Sequence, residues 1–401
     1  MNVLLLGNGF DLYYDLPTTY ANFLHTVDFI CEHYDPAMKT VGSVFGDHRL
    51  TDNDDRIRQS YEKYQKEYNQ VPLDESIIAE LKEKASNNNW FSYFLKNFDK
   101  DVGWIDFEKE ISKVIDVLSS FFSTDDERGT NGKRAPQTFS QYDPLLWEIM
   151  HSFGFDGERK SDARIYGHSY VRKRLREDLY YEDPPESKQR YIDKKKLAQE
   201  LFASLREFSK CLLIYCRCFV EETVNQLVSL GKISLDQAFQ DVSGIVTFNY
   251  TNTFEKLCPE RKVSHIHGTL DKSIVLGVNS DEYDELSDID TTFIQFKKYY
   301  QRVILRTDID YLKVLHEFEF VKNETNYQTM LTVMGHSLDI TDKDIITELF
   351  GLADAIQIFY HSDSALQQYV KNLIAIFGKT EFDRMRYENN LTFIPLSEVG
   401  K

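Results

Sequence analysis

The fold is decided near the amino terminus, by the segment Val3-Leu4-Leu5-Leu6-Gly7-Asn8-Gly9-Phe10-Asp11. A short continuous apolar run that ends in a glycine turn is typical of a buried parallel strand. From Thr18 to Asp35 apolar residues recur at helical spacing, so we expect a helix after the turn. A strand, a glycine turn and a helix make up one half of a βαβ unit.

Further strand-like runs lie more than 200 residues later along the chain. They occupy residues 244–248, 263–266, 274–276, 331–334, 355–360 and 391–394. Helical patterns at about 342–351 and 364–377 lie between the last of these runs. Strands that alternate with helices predict a parallel sheet covered on both faces.

The domain organisation follows from the distance between the first strand and the others. Residues from about 55 to 122 and from about 191 to 230 have helical patterns. A single strand with a single helix cannot bury itself, so a separate amino-terminal domain is disfavoured. We therefore expect one α/β core, made of residues 1–40 and 241–401, with a mainly helical insertion at residues 41–240.

The composition is that of a folded, acidic protein. Its 401 residues include 65 Asp and Glu against 47 Lys and Arg, which gives a net charge of −18. Such a surface repels phosphate backbones, so nucleic acid is a disfavoured partner. No apolar run approaches the roughly 20 residues of a membrane-spanning helix, and the first residues lack the pattern of a secretory signal. We expect a cytoplasmic protein with no membrane partner.

The cysteines give no indication of a metal site. There are five, they are scattered along the chain, and no paired CxxC or HExxH spacing occurs. We therefore expect reduced thiols and no metal cofactor.

The glycine turn is the first candidate binding site. Its residues are Gly7, Asn8, Gly9, Phe10 and Asp11. Backbone N–H groups between a strand and a helix can approach a pyrophosphate. Leu12 stands where the dinucleotide fingerprint GxGxxG has its third glycine, and no GxxxxGK[ST] loop occurs. The alternative is an ordinary tight turn.

Two further candidates follow predicted strands. Asn249 comes after the run at 244–248, and ligands in parallel sheets bind outside the carboxyl ends of the strands. Its amide suits a ribose hydroxyl or a water, although a turn or a helix cap is the alternative. His267 follows the run at 263–266 and can accept or guide a proton near neutral pH. The alternative for His267 is a structural histidine.

A second glycine turn and an acidic segment complete the set of candidates. The turn follows the run at 331–334 and contains Gly335, His336, Ser337 and Asp339. These residues could contact a ribose or a base, and helix capping is the alternative. Glu108 lies near Asp106 and Trp104 and is a candidate additional acid. Most such carboxylates are instead solvated or paired with a cation.

Five regions, in this order, resemble the bacteriophage abortive infection AbiH family. They are LLGNGFDL (5–12) with LPTTY (16–20), WIDFE (104–108), TFNYT (247–251), HIHG (265–268) and GHSLD (335–339). The resemblance spans nearly the whole chain and implies a protein that stops phage propagation inside bacteria, often by damaging or starving the host. Such activity requires control. Phage-triggered assembly into a homo-oligomer, or relief of inhibition by the insertion, is therefore a hypothesis.

More distantly, the same order resembles sirtuin-like NAD-binding domains, which implies a Rossmann-like parallel sheet. The shared features are a glycine turn after the first strand, an Asn after a later strand, His-Gly, and Gly-x-Ser. The resemblance implies that Asn249 and His267 lie at the nicotinamide end of NAD and serve its hydrolysis. Asp11 has an unusual place in the glycine turn, and Thr251 stands where the pattern has an acid. The zinc module of true sirtuins is missing, so protein deacylation is not expected.

The leading hypothesis is hydrolysis of the nicotinamide–ribose bond, with NAD or NADP as the substrate. One alternative keeps the same cleft as a non-catalytic sensor of a nucleotide or an ADP-ribose derivative. A second alternative is a metal-dependent nuclease that uses Asp106, Glu108 and a histidine, since carboxylates can bind Mg²⁺. The leading hypothesis requires the glycine turn, Asn249 and His267 to meet at one cleft.

Overall fold

The computed structural model describes residues 1–51, 55–98, 105–123, 132–134, 144–165, 168–182, 190–279, 291–325, 327–388 and 391–398. Trp104, the first residue of WIDFE, lies outside the described residues. Within these ranges the chain forms a layered α/β structure with helices on both sides of a central sheet.

The described residues form the following helices and strands. The helices are α1 (Asn8–Tyr13), α2 (Tyr20–His33), α3 (Val41–Phe45), α4 (His48–Thr51), α5 (Asp55–Glu67), α6 (Glu75–Ser86), α7 (Asn89–Lys96), α8 (Phe107–Ser123), α9 (Pro144–Ser152), α10 (Lys194–Tyr215), α11 (Glu222–Ser229), α12 (Thr253–Leu257), α13 (Lys298–Leu305), α14 (Asp308–Glu324), α15 (Lys343–Leu352) and α16 (Asp363–Glu388). The strands are β1 (Asn2–Leu6), β2 (Gly132–Arg134), β3 (Asp156–Ile165), β4 (His168–Leu175), β5 (Tyr180–Glu182), β6 (Arg190–Asp193), β7 (Gly244–Thr247), β8 (Ser264–His265), β9 (Met330–Met334), β10 (Ala355–Tyr360) and β11 (Thr392–Pro395). A π-helical turn at Cys216–Glu221 joins α10 to α11.

The central sheet has six parallel strands in the order β11-β10-β9-β1-β7-β8. Numbered along the chain and read from β8, these strands follow the order 3-2-1-4-5-6 of the doubly wound dinucleotide-binding sheet. Leu5 of β1 lies opposite Val246 of β7 and Val333 of β9. The prediction of an α/β, Rossmann-like parallel sheet flanked by helices, with a large mainly helical insertion, is confirmed.

Both faces of the sheet are covered, and the residues of β1 show this. Successive side chains of a strand point to opposite faces of the sheet. Leu4 and Leu6 belong to a core that they share with helices of the insertion, including Phe208 of α10. Val3 and Leu5 belong to a second core that contains residues of α14, α15 and α16. The continuous apolar run in the sequence is explained by this burial on two sides.

The region from residue 41 to residue 240 contains helices α3 to α11 and two small antiparallel sheets. One small sheet has the order β2-β6-β5, and the other is a hairpin of β3 and β4. Phe23 of α2 makes edge-to-face contacts with Phe91, Phe107 and Phe208, so these helices pack against the core beside β1. The limits of the insertion at 40 and 240 stay a prediction.

The predicted strand at 274–276 is wrong. Within the described ranges, Ile274 makes a single isolated β-bridge and no ladder. The Tyr250 hydroxyl donates to the carbonyl of Val275 across 3.2 Å. The side-chain amide of Gln301 exchanges hydrogen bonds of 3.0 and 2.9 Å with the backbone of Leu276. Side chains therefore bind much of the backbone of this buried apolar run, and the Val275 N–H donates to the His267 carbonyl across 2.8 Å.

The glycine turn predicted after β1 consists of Gly7 and the start of α1, and its backbone contacts the turn that follows β9. The N–H of Gly9 donates to the carbonyl of Gly335 at 2.8 Å, and that of Gly7 donates to Met334 at 3.1 Å. Gly335 has a φ of 72°, which side chains rarely tolerate. A Cβ at Gly335 would lie 2.2 Å from the backbone nitrogen of Phe10. The two turns therefore meet only because glycine occupies this position.

Gly335→Ala is expected to lower the free energy of unfolding by at least about 2 kcal/mol, because a backbone clash adds to an unfavourable φ. Gly351→Ala is the matched control, since a Cβ at this α15 position meets nothing within 4 Å. The control should be neutral or stabilise the protein by up to about 1 kcal/mol. Chemical denaturation followed by circular dichroism measures both variants, and equal stabilities would contradict the close contact.

Candidate active site

A cavity of about 460 Å³ lies where β1, β7 and β9 end. This is the place at which the strand order reverses, and ligands in open α/β sheets bind there. The predicted site residues that line it are Gly7, Asn8, Asp11, Glu108, Asn249, His267, Gly335, His336, Ser337 and Asp339. The structure thus brings the amino-terminal turn together with Asn249 and His267.

Gly9 and Phe10 are predicted site residues that do not belong to the described lining. The Phe10 ring packs in the core against Phe239 and Phe254. The N–H groups of Gly7, Gly9 and Phe10 all donate to protein carbonyls. These three groups are therefore occupied, and the glycines serve the contact between the two turns.

Asn249 is fixed by three hydrogen bonds. Its Nδ2 donates to the carbonyl of Gly7 across 3.0 Å, and its backbone N–H donates to Thr247 Oγ1 across 3.0 Å. The Nδ1 of His265 lies 3.0 Å from the Asn249 carbonyl oxygen. Because Nδ2 holds the glycine turn, Oδ1 is the side-chain atom of Asn249 that remains for a ligand.

His267 is buried at the cavity wall. Its ring lies beside that of Phe248, with 5.0 Å between the ring centroids. Its Nε2 is 3.5 Å from Oδ1 of Asp342. Burial, together with the positive charge of Lys298, lowers the pKa of His267 well below its usual value. The imidazole is therefore neutral near pH 7 and can accept a proton.

Lys298 is a site residue that the sequence analysis missed. Its side chain is 1% exposed, and Nζ lies 2.7 Å from Glu108 Oε2 and 2.8 Å from Asp342 Oδ1. Burial opposes its charge, but the two carboxylates hold the pKa of Lys298 well above its usual value. Burial also raises the pKa of Glu108 to about 7, in spite of Lys298.

Lys298 was not predicted as a site residue because the two faces of α13 are reversed: polar residues are buried and apolar residues are exposed. Lys298, Gln301 and Arg302 share one face of the helix and are buried. Tyr299 and Ile304, on the other side, are exposed. Polar residues at this spacing normally indicate a solvated face, so the sequence predicts that Lys298 is exposed to solvent. Two cationic residues and an amide lie on one face of α13, and this clustering is the feature of the sequence that could have indicated a buried polar face.

The second glycine turn places its polar residues in two different roles. His336 Nδ1 accepts a 3.0 Å hydrogen bond from the Leu338 N–H, and its Nε2 lies 3.5 Å from Oδ2 of Asp342. Asp339 Oδ1 accepts from the N–H of Thr341 at 3.1 Å and caps the short helix that follows. Asp339 therefore has a capping role in addition to its place in the cavity wall.

Asp11 and Thr251, two of the departures from the sirtuin-like pattern, are partners. The Thr251 hydroxyl donates to Asp11 Oδ2 across 2.6 Å. Burial raises the pKa of Asp11 to about 6, although Thr251 and Thr253 favour its charged form. A carboxylate therefore does reach this part of the cavity, but it comes from α1 and not from the segment after β7.

The sheet order and the cavity define a doubly wound α/β protein with a ligand site at the switch point. The family model for bacteriophage abortive infection AbiH matches residues 3–361. The chain belongs to this family, and its role is in abortive infection. No curated protein and no solved structure matches the chain, so the sirtuin-like resemblance stays a prediction. Across the described helices, none is long and apolar enough to cross a membrane.

The raised pKa of Asp11 predicts a pH-dependent cost of burying its charge. The folded state binds this proton more tightly than the unfolded state, so stability falls as pH rises from 3.8 to about 6. Asp11→Asn removes the cost, and the free energy of unfolding at pH 7.5 is expected to rise by up to roughly 3 kcal/mol. At pH 4 the variant and the wild type should be nearly equal. Denaturation at both pH values measures this, and an equal gain at pH 4 would exclude charge as the cause.

Proposed function

We propose that this chain hydrolyses the bond between nicotinamide and ribose in NAD or NADP, as its part in abortive infection. The main support is the convergence of Asn249 and His267 with the turns after β1 and β9 on one cavity. This cavity lies at the switch point of a sheet with the dinucleotide-binding strand order. Its volume of about 460 Å³ is in the usual range for small-molecule sites.

The acidic lining suits the charge that develops in this reaction. Cleavage passes through a transition state like an oxocarbenium ion, in which positive charge builds up on the ribose. Among the described residues, the lining includes no Lys or Arg. It contains the carboxylates of Asp11, Asp106 and Asp339, besides Glu108 and Asp342, which are paired with Lys298. Carboxylates stabilise positive charge and accept hydrogen bonds from ribose hydroxyls.

The reaction balances with water as the only co-reactant. The water oxygen forms a bond to ribose C1′ while the bond from C1′ to the nicotinamide nitrogen breaks. The electron pair of that bond stays on nicotinamide, which leaves as a neutral molecule, and His267 accepts the proton that the water loses. Asn249 Oδ1 orients the water or a ribose hydroxyl, since its Nδ2 is held by Gly7.

In this proposal the pyrophosphate contacts neutral groups. Three N–H groups of the first glycine turn are already used within the protein. Asn8, Thr19 and Ser337 line the same cavity and carry donors without adding negative charge. We assign the phosphate contacts to these side chains and the ribose contacts to Asp11.

The two alternative functions, a nuclease and a sensor, require different properties of the same cavity. A nuclease needs carboxylates that are free to bind Mg²⁺, but Lys298 already neutralises Glu108 and Asp342. No group of three or more His, Cys, Asp or Glu suited to a metal occurs in the described part of the chain. A sensor needs only binding, so it must be separated from an enzyme by measuring turnover.

Purified protein incubated with NAD should release nicotinamide, which liquid chromatography detects. His267→Ala is expected to lower kcat by about 10²–10⁴ with little change in KM, because the proton acceptor is lost. Asn249→Ala should also lower kcat, since the water is no longer oriented. His361→Ala is the control: this exposed residue follows β10 and is not part of the described lining.

Three results would contradict these assignments. If NAD raises the midpoint of thermal unfolding but no nicotinamide appears, the protein is a sensor. If the Asn249→Ala, His267→Ala double variant keeps activity within tenfold of the wild type, neither residue has the assigned role. If chelation abolishes activity and nucleic acid is cleaved, the nuclease is the correct function. Thermal unfolding of each variant shows whether it is folded.

A further inference from the structure

Asp342 lies at the centre of a buried polar cluster that includes both cavity histidines. Its Oδ1 is 2.8 Å from Lys298 Nζ and 3.5 Å from His267 Nε2, and its Oδ2 is 3.5 Å from His336 Nε2. Glu108 contacts the same ammonium group at 2.7 Å. One carboxylate is thus shared by two imidazoles and a lysine.

The contacts of His336 determine which of its nitrogens carries the proton. Its Nδ1 accepts from the Leu338 N–H, so the neutral ring must carry its proton on Nε2. That proton faces Oδ2 of Asp342. His336 therefore acts as a neutral donor to Asp342.

His267 presents the same edge to the same carboxylate. Its Nε2 faces Asp342 without a hydrogen-bond partner among the described residues, and its Nδ1 makes no hydrogen bond within the same ranges. A charged carboxylate opposite Nε2 favours the tautomer with the proton on that atom. The unprotonated Nδ1 is then the atom that His267 offers to the cavity. A separation of 3.5 Å is long for a hydrogen bond, but catalytic contacts of this kind often tighten when substrate binds.

Lys298 explains how Asp342 remains charged although it is buried. A buried carboxylate costs several kcal/mol unless a partner compensates its charge. Burial opposes the charge of Asp342, but Lys298 and the two histidines hold its pKa well below the usual range. Glu108, whose pKa is raised by burial to about 7, is the more easily protonated of the two carboxylates. Asp342 therefore presents a negative charge to both histidines.

We propose that Asp342 is the positioning residue of His267: it holds the proton on Nε2 and thereby directs the free Nδ1 at the water that attacks ribose. Lys298 keeps Asp342 ionised and thereby sets the protonation states of Asp342 and His267. This inference rests on the proposed hydrolysis for its catalytic meaning, but the tautomer of His267 is a property of the protein without substrate.

The first experiment measures the tautomer directly. In protein labelled with ¹⁵N-histidine, the ring nitrogens of His267 are assigned by comparison with His267→Gln, and their shifts distinguish an Nε2–H from an Nδ1–H ring. The wild type should show the Nε2–H form, and Asp342→Asn should show a substantial fraction of the Nδ1–H form. An unchanged tautomer in Asp342→Asn would overturn the proposal, whether or not the protein hydrolyses NAD.

The second experiment measures turnover. Asp342→Asn should lower kcat for NAD by about 10²–10⁴ while KM changes less than about threefold, because the proton acceptor is misdirected and binding is kept. Asp383→Asn is the matched control, since this exposed carboxylate of α16 is not part of the described lining. A kcat for Asp342→Asn within threefold of the wild type would overturn the positioning role. The expected tautomers without nicotinamide release would instead refute the proposed hydrolysis and leave the His267–Asp342 pair standing.

A third experiment separates the charge of Lys298 from a purely structural role. The groups that act on His267 are Lys298 and Arg302 from α13, and His336 and Asp342 from the segment between β9 and α15. Lys298→Met removes the charge that keeps Asp342 ionised, so His267 should lose part of its Nε2–H tautomer in ¹⁵N spectra, as in Asp342→Asn. A purely structural lysine would leave that tautomer unchanged. If Lys298→Met does not fold, the two measurements on Asp342→Asn decide the question.

Discussion

The N–H of Gly9 donates a 2.8 Å hydrogen bond to the carbonyl oxygen of Gly335, and this contact joins the turns of two neighbouring central strands. The side chains of the candidate site are arranged around this contact between Gly9 and Gly335. Asn249 binds the carbonyl of Gly7 from the β7 side, and His336 directly follows Gly335. The glycines are needed because they let two backbones approach, and the N–H groups of Gly7 and Gly9 donate to carbonyls of the protein itself. One boundary of the cavity is therefore formed by backbone, and the polar side chains around it are the groups that can contact a ligand.

The cavity holds its charges at a cost in stability. Its described lining is rich in carboxylates, and Asp11 is buried with only hydroxyl groups to support its charge. Lys298 offsets part of this cost for Asp342 and Glu108, because a buried ion pair is tolerated where a buried single charge is not. Groups with strongly perturbed pKa values and a defined charge partner in a cleft are common at functional sites.

Local patterns predicted the central fold and much of the candidate site. The run before Gly7 is apolar throughout because β1 is buried on both faces, and the polar residues after each strand lie at one edge of the sheet. The prediction failed where tertiary contacts reverse the usual meaning of a pattern. Residues 274–276 are buried without strand partners, and α13 turns its charged face inward. The pairing of Asp11 with Thr251 spans 240 residues, so no local pattern could indicate it.

The order of the strands along the chain also determines when the cavity can exist. The ribosome makes β1 before the other five strands of the central sheet, since Asn249 lies 242 residues after Gly7 and Thr332 lies 330 residues after Asn2. At about 5–20 residues per second, translation takes roughly 15–70 s to pass from β1 to β9. Throughout that time β1 lacks its neighbour on that side, and the second glycine turn has not been made. A nascent chain that has not yet reached β9 therefore lacks the cavity at the switch point.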